Sequence, residues 1–226
     1  NWAGFLHWMP GCQEVIDFES RTKLGIELLE AADWIFCLDF NTLSRAKKME
    51  SYLATSKALR ILIDHHQEPQ EEMFEFGISN TAKSSTAEMV YDFIVAAGGL
   101  KAIDQDIASC LYAGVMTDTG SFRFPSTTAS VHRMVAVLKD AGLQHHLIHD
   151  HVYDNYLENR LRFIGQVLLH RMEVIYELNT VLLVVPKSDI QQFDITTGDT
   201  EGLVNFPFSI QGIRMVAIVI DREGER

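Results

Sequence analysis

Two short apolar runs, separated by a segment of helical character, constrain the fold of this chain more than any other feature. The first run covers residues 34–38 and the second covers residues 60–63, and each is followed at once by an aspartate, Asp39 or Asp64. A strand, a helix and a second strand in this order form a βαβ unit, whose right-handed crossover makes the two strands parallel. Both aspartates are therefore expected at the same carboxyl edge of one sheet.

Apolar periodicity and capping patterns predict further elements around this unit. A helix is expected over residues 22–32, a second helix is capped by Asn41 or Thr42, and a weak strand covers residues 74–78. Ser85 opens a capping box whose helix ends at Gly98, Asp104 caps the next helix, and another helix covers residues 128–141. This alternation predicts an α/β fold with a parallel sheet.

The pattern changes after residue 145 and predicts a second, smaller α/β domain. A long helical stretch over residues 156–170 places Leu157, Leu161, Ile164 and Leu168 on one face. Strands are expected over residues 173–176, 181–185 and 215–220. We therefore expect a first domain over residues 1–150, a linker helix over 151–171 and the start of a second domain over 172–226.

The charge balance limits the nucleic acids that this chain can bind. The 226 residues contain 19 Lys and Arg against 31 Asp and Glu, a formal net charge of −12. A long duplex would be repelled, because duplex binding depends on many cations that neutralise phosphates. A phosphate ligand is expected to be short, or to meet bound metal ions that reverse the local field. An acidic surplus is also usual for a cytoplasmic enzyme, which is the localisation we expect.

Cysteine usage and hydropathy indicate a reducing compartment and no membrane segment. Cys12, Cys37 and Cys110 are odd in number and lack a CxxC spacing, so we expect reduced core residues. No uncharged apolar run reaches about 18 residues, and no signal-peptide pattern opens the chain. The sequence starts without Met and stops just after a strand-like run, so we expect a piece of a longer protein.

Asp64, His65 and His66 carry the strongest chemical signal. Three consecutive side chains that can bind metal or transfer protons are costly at the exit of a buried strand unless they bind a ligand. Asp39 is expected beside them, since ligands of open α/β sheets bind at this edge. A carboxylate with imidazoles suits manganese better than zinc, because no thiolate is offered. Surface histidines with a capping aspartate are the alternative that the residues alone leave open.

The segment over residues 114–124 adds a third candidate. Asp118 lies among threonines and glycines at a helix-to-loop junction, where small neighbours leave space for a ligand. Arg123 offers a guanidinium that can bind a phosphate. A tight turn with a surface arginine is the alternative.

Four histidines between residues 145 and 151 require a separate interpretation. His145 and His149 are one helical turn apart, which would suit a metal, and His146 and His151 lie beside them. No carboxylate or thiol partner is evident beyond Asp150. We interpret these residues as surface histidines.

Together these residues resemble the DHH family of phosphoesterases. The family's third motif is the Asp64-His65-His66 triplet, its second is the single strand-end Asp39, and its fourth is Asp118. Residues 84–88 and 117–124 look like the branch that acts as nanoRNases and 3′-phosphoadenosine 5′-phosphate phosphatases, and residues 160–162 and 201–205 resemble the start of its DHH-associated C-terminal domain. The first motif and the glycine- and His-rich loop of that domain are absent, and we expect them before Trp2 and after Arg226.

The resemblance implies a Rossmann-like domain with a two-metal site. Asp39 would bridge two manganese ions, with magnesium or cobalt as alternatives, and His65 and Asp118 would complete one of the two sites. His66 would contact the phosphate or donate a proton, while Asp64 would orient a neighbouring imidazole. Three further side chains would contact the substrate: Ser85, Arg123 and Asn205.

The resemblance further implies a manganese-dependent hydrolase acting on short oligoribonucleotides, on 3′-phosphoadenosine 5′-phosphate or on both. A phosphodiesterase of cyclic or linear dinucleotides is one alternative, and a nucleotide-binding or sensing protein without catalysis is another. The second domain, suited to gripping a base or ribose, argues against an inorganic pyrophosphatase. Neither a long duplex nor a membrane is expected as a partner. Whether the protein forms a homodimer is left open by the sequence. Since about half of the expected metal ligands are absent, we expect residues 1–226 alone to be inactive.

Overall fold

A computed structural model describes residues 6–196, 198–200 and 202–221 of the chain. These residues divide into two compact units, Leu6–Asp150 and residues 151–221. Each unit contains a three-stranded sheet with helices, which confirms the predicted α/β class. Over the ranges described, none of the helices combines the length and the apolar character needed to span a bilayer.

The sheet of the first unit is entirely parallel. It consists of β1 (Trp34–Leu38), β2 (Leu59–Asp64) and β3 (Phe76–Ser79), in the order β1-β2-β3. In its register Leu38 pairs with Ile63, and Asp64 pairs with Ser79. The predicted βαβ unit is therefore confirmed, and the residues that follow β1 and β2 meet at one edge.

Six α-helices accompany this sheet in the described part of the chain, and most begin and end close to the predicted positions. They are α1 (Thr22–Ala31), α2 (Glu50–Thr55), α3 (Thr86–Ala96), α4 (Gln105–Asp118), α5 (Ala129–Asp140) and α6 (His145–Tyr153). Asp104 caps α4 by accepting a hydrogen bond from the Ile107 N–H at 2.9 Å, as predicted. Leu62, Met116 and Val131 belong to the buried core between sheet and helices.

The predicted helix after Thr42 is wrong in its form. Residues Leu43–Met49 form a 3₁₀ helix, and the α-helix begins only at Glu50. Lys47 has φ 53° and ψ −119°, which is incompatible with helical hydrogen bonding. The connection between β1 and β2 is therefore a 3₁₀ segment that is broken by a kink at Lys47 and is followed by the short helix α2.

The second unit has a mixed sheet, with two α-helices in its described part. It contains α7 (Glu158–His170), β4 (Met172–Ile175), β5 (Thr180–Val185), α8 (Lys187–Gln192) and β6 (Met215–Ile220). β5 is central, antiparallel to β4 and parallel to β6. The buried core of the unit joins α7 to β5 and includes Phe163, Val167, Val181, Leu183 and Val185.

The predicted apolar face of α7 is only partly correct. Ile164 is buried, but Leu157 and Leu161 are 74% and 56% exposed. The buried positions are instead Phe163, Ile164 and Val167, because the side that faces β5 is set by packing within the unit. Glu201, part of the 201–205 resemblance, lies outside the described residues.

All three cysteines are free thiols, as predicted. Only Cys37 is a fully buried core residue, whereas Cys12 and Cys110 are half-buried. Burial raises the pKa of the Cys37 thiol to about 11. The thiol of Cys37 is therefore protonated at neutral pH and inert as a nucleophile.

Candidate metal centre

Asp39 projects from the end of β1 with an unusual backbone. Its φ of 66° lies in the left-handed region, which aspartate tolerates better than most residues. The Asp39 N–H donates to the Ile63 carbonyl at 3.2 Å, so its main chain is tied to β2. The carboxylate is 58% exposed, and its Oδ1 accepts a hydrogen bond from the Thr86 hydroxyl at 2.9 Å. The left-handed turn thus leaves the Asp39 carboxylate open to a ligand at the sheet edge.

Asp64 and His66 form a closed hydrogen-bonded pair at the end of β2. Asp64 is fully buried; its Oδ1 lies 2.7 Å from His66 Nδ1, and its Oδ2 accepts the His66 main-chain N–H at 3.1 Å. Ser79, at the end of β3, donates its hydroxyl to the His66 carbonyl at 3.1 Å. Because Nδ1 is held by Asp64, Nε2 is the ring nitrogen of His66 left for a ligand.

His65 lies between the two candidate carboxylates. Its Nε2 is 3.6 Å from Asp39 Oδ1 and 3.8 Å from Asp118 Oδ2, and its ring centroid is 4.8 Å from that of His66. Asp118 is the last residue of α4. The structure therefore brings together residues from the ends of two strands and one helix.

The electrostatics of this group favour a cation. Partial burial raises the pKa of Asp118, and the negative charge of Asp39 raises it further, whereas His65 and His66 act in the opposite direction. Two carboxylates this close repel one another, and a divalent ion between them would remove that repulsion.

The donor atoms of this group suit a metal ion. One ligand atom each from Asp39, His65 and His66 lies within 4.8 Å of the others, and within the described ranges no other set of His, Cys, Asp or Glu residues converges in this way. Carboxylate oxygens and imidazole nitrogens suit manganese and similar divalent ions. These donors fit the predicted metal; the group includes His66, which was predicted to contact the phosphate, whereas the predicted ligand Asp118 lies beside it, with Oδ2 3.8 Å from His65 Nε2.

The predicted substrate-binding residues occupy different environments. Ser85 is fully buried, and its hydroxyl accepts the Glu88 N–H at 3.1 Å as the N-cap of α3. Arg123 is exposed, and its Nε donates to the Gly120 carbonyl at 2.7 Å. Asn205 is exposed and lies in the second unit, in a 3₁₀ turn over Leu203–Asn205. Substrate contact by these three side chains stays a prediction, and for Ser85 it would require the helix cap to open.

Sequence reasoning missed Thr86. Its side chain is buried, and its hydroxyl is the hydrogen-bond donor that contacts Asp39 from α3. The sequence identified Thr86 only as part of the capping box that starts a helix, and no local signal distinguishes such a threonine from one that reaches across to a strand end. The two residues are 47 positions apart.

The histidines of α6 lie away from any group of three metal-capable side chains in the described part of the chain. His149 Nε2 is 3.0 Å from the Tyr112 hydroxyl, and His145 Nδ1 is 3.1 Å from Lys139 Nζ. Desolvation lowers the pKa of His145, and the Lys139 charge lowers it further. His149 and His145 are thus held by neighbouring side chains of the protein, Tyr112 and Lys139 respectively.

The model of the DHH family, N-terminal domain, matches residues 3–115, which is half of the chain. The chain belongs to the DHH family. The predicted resemblance is thereby confirmed for the part that contains Asp39 and the Asp64-His65-His66 triplet.

Two curated relatives match this DHH-family chain over different lengths. An uncharacterised protein of Mycoplasma genitalium is 37% identical over 94 residues, covering 41% of this chain and 28% of its own length. The bifunctional oligoribonuclease and PAP phosphatase NrnA of Bacillus subtilis is 26% identical over 212 residues, covering 91% of this chain and 64% of its own length. The chain thus spans less than two thirds of either relative.

A solved structure supports the fold. The crystal structure of an exopolyphosphatase-related protein from Bacteroides fragilis superposes with a TM-score of 0.91 at 36% identity, covering 94% of this chain and 62% of that one. The predicted fold class, a DHH-type α/β domain followed by a smaller α/β unit, is confirmed over the length that the two chains share.

Proposed function

We propose that this DHH-family protein is a metal-dependent phosphoesterase that hydrolyses short oligoribonucleotides, 3′-phosphoadenosine 5′-phosphate or both. The observation that carries the proposal is the convergence of Asp39, His65, His66 and Asp118 at the carboxyl edge of a parallel sheet. That edge is where open α/β sheets bind their ligands. The name of the Bacillus relative, which matches most of this chain, supports the substrate class.

Asp39, His65 and Asp118 would hold the metal in this proposal. Manganese is the ion we propose, with magnesium or cobalt as alternatives, and two ions would act together with Asp39 between them. When bound, such ions neutralise the phosphate charge and make water a stronger nucleophile. Within the described residues, the ligands for the second ion are incomplete.

His66 would contact the phosphate or donate a proton to the leaving oxygen. Asp64 is hydrogen-bonded to the His66 ring at Nδ1 and to the His66 main-chain N–H, and it is itself fully buried, so it acts on the substrate only through His66. A ring fixed in this way presents Nε2 without loss of rotational freedom during the reaction. Asp64 is thus a positioning residue and His66 the catalytic residue.

A short substrate agrees with the charge of the chain. With a formal net charge of −12, the protein has no surplus of cations to track a long duplex, whereas a dinucleotide requires only a few local contacts. Arg123, Ser85 and Asn205 are the proposed substrate contacts. We also propose that residues 1–150 form the catalytic domain, that residues 172–226 belong to a substrate-binding domain to which the connecting segment 151–171 contributes helix α7, and that the protein works in the cytoplasm. A homodimer is a further proposal.

The test uses the purified full-length gene product, freed of metal and then supplied with Mn²⁺. Release of mononucleotide from a diribonucleotide and of phosphate from 3′-phosphoadenosine 5′-phosphate should require the ion, and Asp39→Asn should abolish both. Asp33→Asn, the same change at an exposed site before β1, is the control and should retain activity. Hydrolysis of a cyclic dinucleotide alone would favour that phosphodiesterase alternative, and binding without hydrolysis would favour a sensor.

We further propose that residues 1–226 alone bind at most one Mn²⁺ and hydrolyse neither substrate. The support is that Asp39, His65 and His66 form one group of ligand atoms, with Asp118 Oδ2 3.8 Å from His65 Nε2, and that no second such group lies within the described residues. The measurement is the number of bound Mn²⁺ ions and the turnover of this chain beside those of the full-length gene product. Equal turnover by both would show that the essential ligands already lie within these residues.

A further inference from the structure

Glu88 is a buried carboxylate that the proposed chemistry does not use. It lies in the first turn of α3 and is 2% exposed, yet it accepts four hydrogen bonds. Its Oε2 accepts the Ser84 N–H and the Ser84 hydroxyl, each at 2.8 Å, and its Oε1 accepts Lys83 Nζ at 3.1 Å and the Ser130 hydroxyl at 2.8 Å. Burial alone would raise the pKa of Glu88, but these hydrogen bonds together hold it below its ordinary value. The buried group is therefore a fully paired carboxylate.

This pairing differs from an ordinary capping box. There the glutamate of the first turn reaches back to the N–H of the N-cap residue, here Ser85. Glu88 instead accepts hydrogen bonds from Ser84, the residue before the N-cap, and from Ser130 in the first turn of α5. The segment 83–86 is consequently fixed to two helices, which is more than helix capping alone requires.

Thr86 is the residue that this anchoring presents to the metal centre. It is 6% exposed, and its hydroxyl donates to Asp39 Oδ1 at 2.9 Å. Threonine is β-branched, so its χ1 is stiff, and the direction of its hydroxyl follows the main chain of α3. The Asp39 side chain is 58% exposed and could otherwise rotate. The hydrogen bond from Thr86 therefore fixes the direction of the Asp39 carboxylate through Oδ1, the same oxygen that lies 3.6 Å from His65 Nε2.

We infer that Thr86 is a positioning residue for Asp39, and that the buried carboxylate of Glu88 holds Thr86 in place. The inference deepens the proposed function and rests on it, because Asp39 is a ligand only if the site binds metal. Partners that orient a metal ligand typically change metal affinity by about 10- to 100-fold when they are removed. We expect an effect of that size from loss of one hydroxyl group.

The first experiment measures Mn²⁺ affinity by calorimetry on the full-length gene product without substrate. Thr86→Val keeps the shape of the side chain but removes the donor, and should weaken Mn²⁺ binding by about 10-fold or more. Thr86→Ser restores a hydroxyl and should recover most of the affinity. Thr180→Val is the matched control, since Thr180 is also 6% exposed and donates a 2.9 Å hydrogen bond, but to the Leu178 carbonyl in the second unit. It should bind Mn²⁺ as the parent does.

The second experiment asks whether Glu88 acts through Thr86. Glu88→Gln keeps the size of the side chain but places an NH₂ group against donors, which should loosen the 83–86 segment and weaken Mn²⁺ binding. If the two residues act in series, Thr86→Val combined with Glu88→Gln should bind Mn²⁺ no more weakly than the weaker single variant. The melting temperature of each variant is recorded beside its affinity, and Ser130→Ala, which removes one of the four donors, replaces Glu88→Gln if that variant does not fold.

Defined outcomes would overturn the inference. Parent-like Mn²⁺ affinity in Thr86→Val, or failure of Thr86→Ser to recover affinity, would show that the hydroxyl does not position Asp39. Fully additive effects in the double variant would remove the role of Glu88, and absence of Mn²⁺ binding by the parent would overturn the whole inference. A parent that binds Mn²⁺ but hydrolyses no phosphoester would refute the proposed function, while the measured affinities would still decide the role of Thr86.

Discussion

Replacing Asp64 by asparagine tests the role of the buried pair at the end of β2. In the parent, Asp64 Oδ2 accepts the His66 main-chain N–H at 3.1 Å. The asparagine carbonyl can accept the same N–H, so the fold at the strand end should be preserved. The bond at 2.7 Å between Asp64 Oδ1 and His66 Nδ1 cannot be preserved in the same form. An amide NH₂ donates where the carboxylate accepted, so His66 must turn or take the other tautomer.

The magnitude follows from this single bond. A hydrogen bond to a charged group contributes about 1.5–3 kcal/mol, and every 1.4 kcal/mol is about tenfold in a rate. Because Asp64 is fully buried, water does not compensate for the loss. We therefore expect kcat to fall by about 10- to 150-fold, with KM and Mn²⁺ affinity nearly unchanged.

The assay compares kcat, KM and bound manganese for the full-length gene product and the variant, with a diribonucleotide as substrate. Asp104→Asn is the control, because Asp104 also accepts a main-chain N–H and asparagine caps a helix equally well. It should leave kcat unchanged. A kcat within threefold of the parent in Asp64→Asn would refute the argument, and loss of manganese would mean that Asp64 acts through the metal ligands instead of through His66.

Three other predictions concern the site, the sheet and the second unit. His65→Ala should lose manganese, whereas His66→Ala should retain it and lose turnover, because only His65 lies between Asp39 and Asp118; equal metal loss would show that the two roles are misassigned. Gly77→Ala should lower the free energy of unfolding by about 1–3 kcal/mol in denaturant titration, because the new Cβ would lie 2.6 Å from the Leu62 main-chain oxygen. Gly165→Ala, in α7 with nothing within 4 Å, should instead stabilise by about 0.5–1 kcal/mol, and equal effects at both glycines would contradict the packing argument. Arg171 donates two hydrogen bonds to the buried Asp189, which lower the pKa of the Asp189 carboxyl. The ion pair therefore stabilises the second unit fully above the unfolded-state pKa of aspartate, about 3.9. The stabilisation is lost as the pH falls through the lower folded-state pKa of Asp189. Asp189→Asn should therefore cost about 2 kcal/mol at pH 7 and progressively less below pH 4, whereas a cost that does not depend on pH would exclude the ion pair as its source.

The local patterns of the sequence determined the elements and their direction. The two apolar runs are strands because they are short, β-branched or aromatic, and bounded by polar residues, and the helix between them makes the strands parallel. From that direction alone, Asp39 and the Asp64-His65-His66 triplet had to meet at one edge. The family and the central metal-capable residues were therefore predictable without coordinates.

Tertiary structure decided which side of each element is buried and which atoms come within hydrogen-bond distance. Helical periodicity indicated an apolar face for α7, but the packing against β5 buried Phe163 and Val167 and left Leu161 exposed. A capping pattern placed Ser85 at a helix start, but only the fold shows its hydroxyl buried in the cap. Periodicity specifies the spacing of residues along one element, and it carries no information on the neighbouring element.

The contact between Thr86 and Asp39 shows the same limit at the metal centre. The residues are 47 positions apart, and their 2.9 Å hydrogen bond depends on where the N-terminus of α3 packs against the sheet edge. A shift of that helix by about one ångström would break the bond, because hydrogen bonds weaken steeply beyond about 3.2 Å. Sequence determined that a carboxylate stands at this edge, and the packing of α3 determined which hydroxyl orients it.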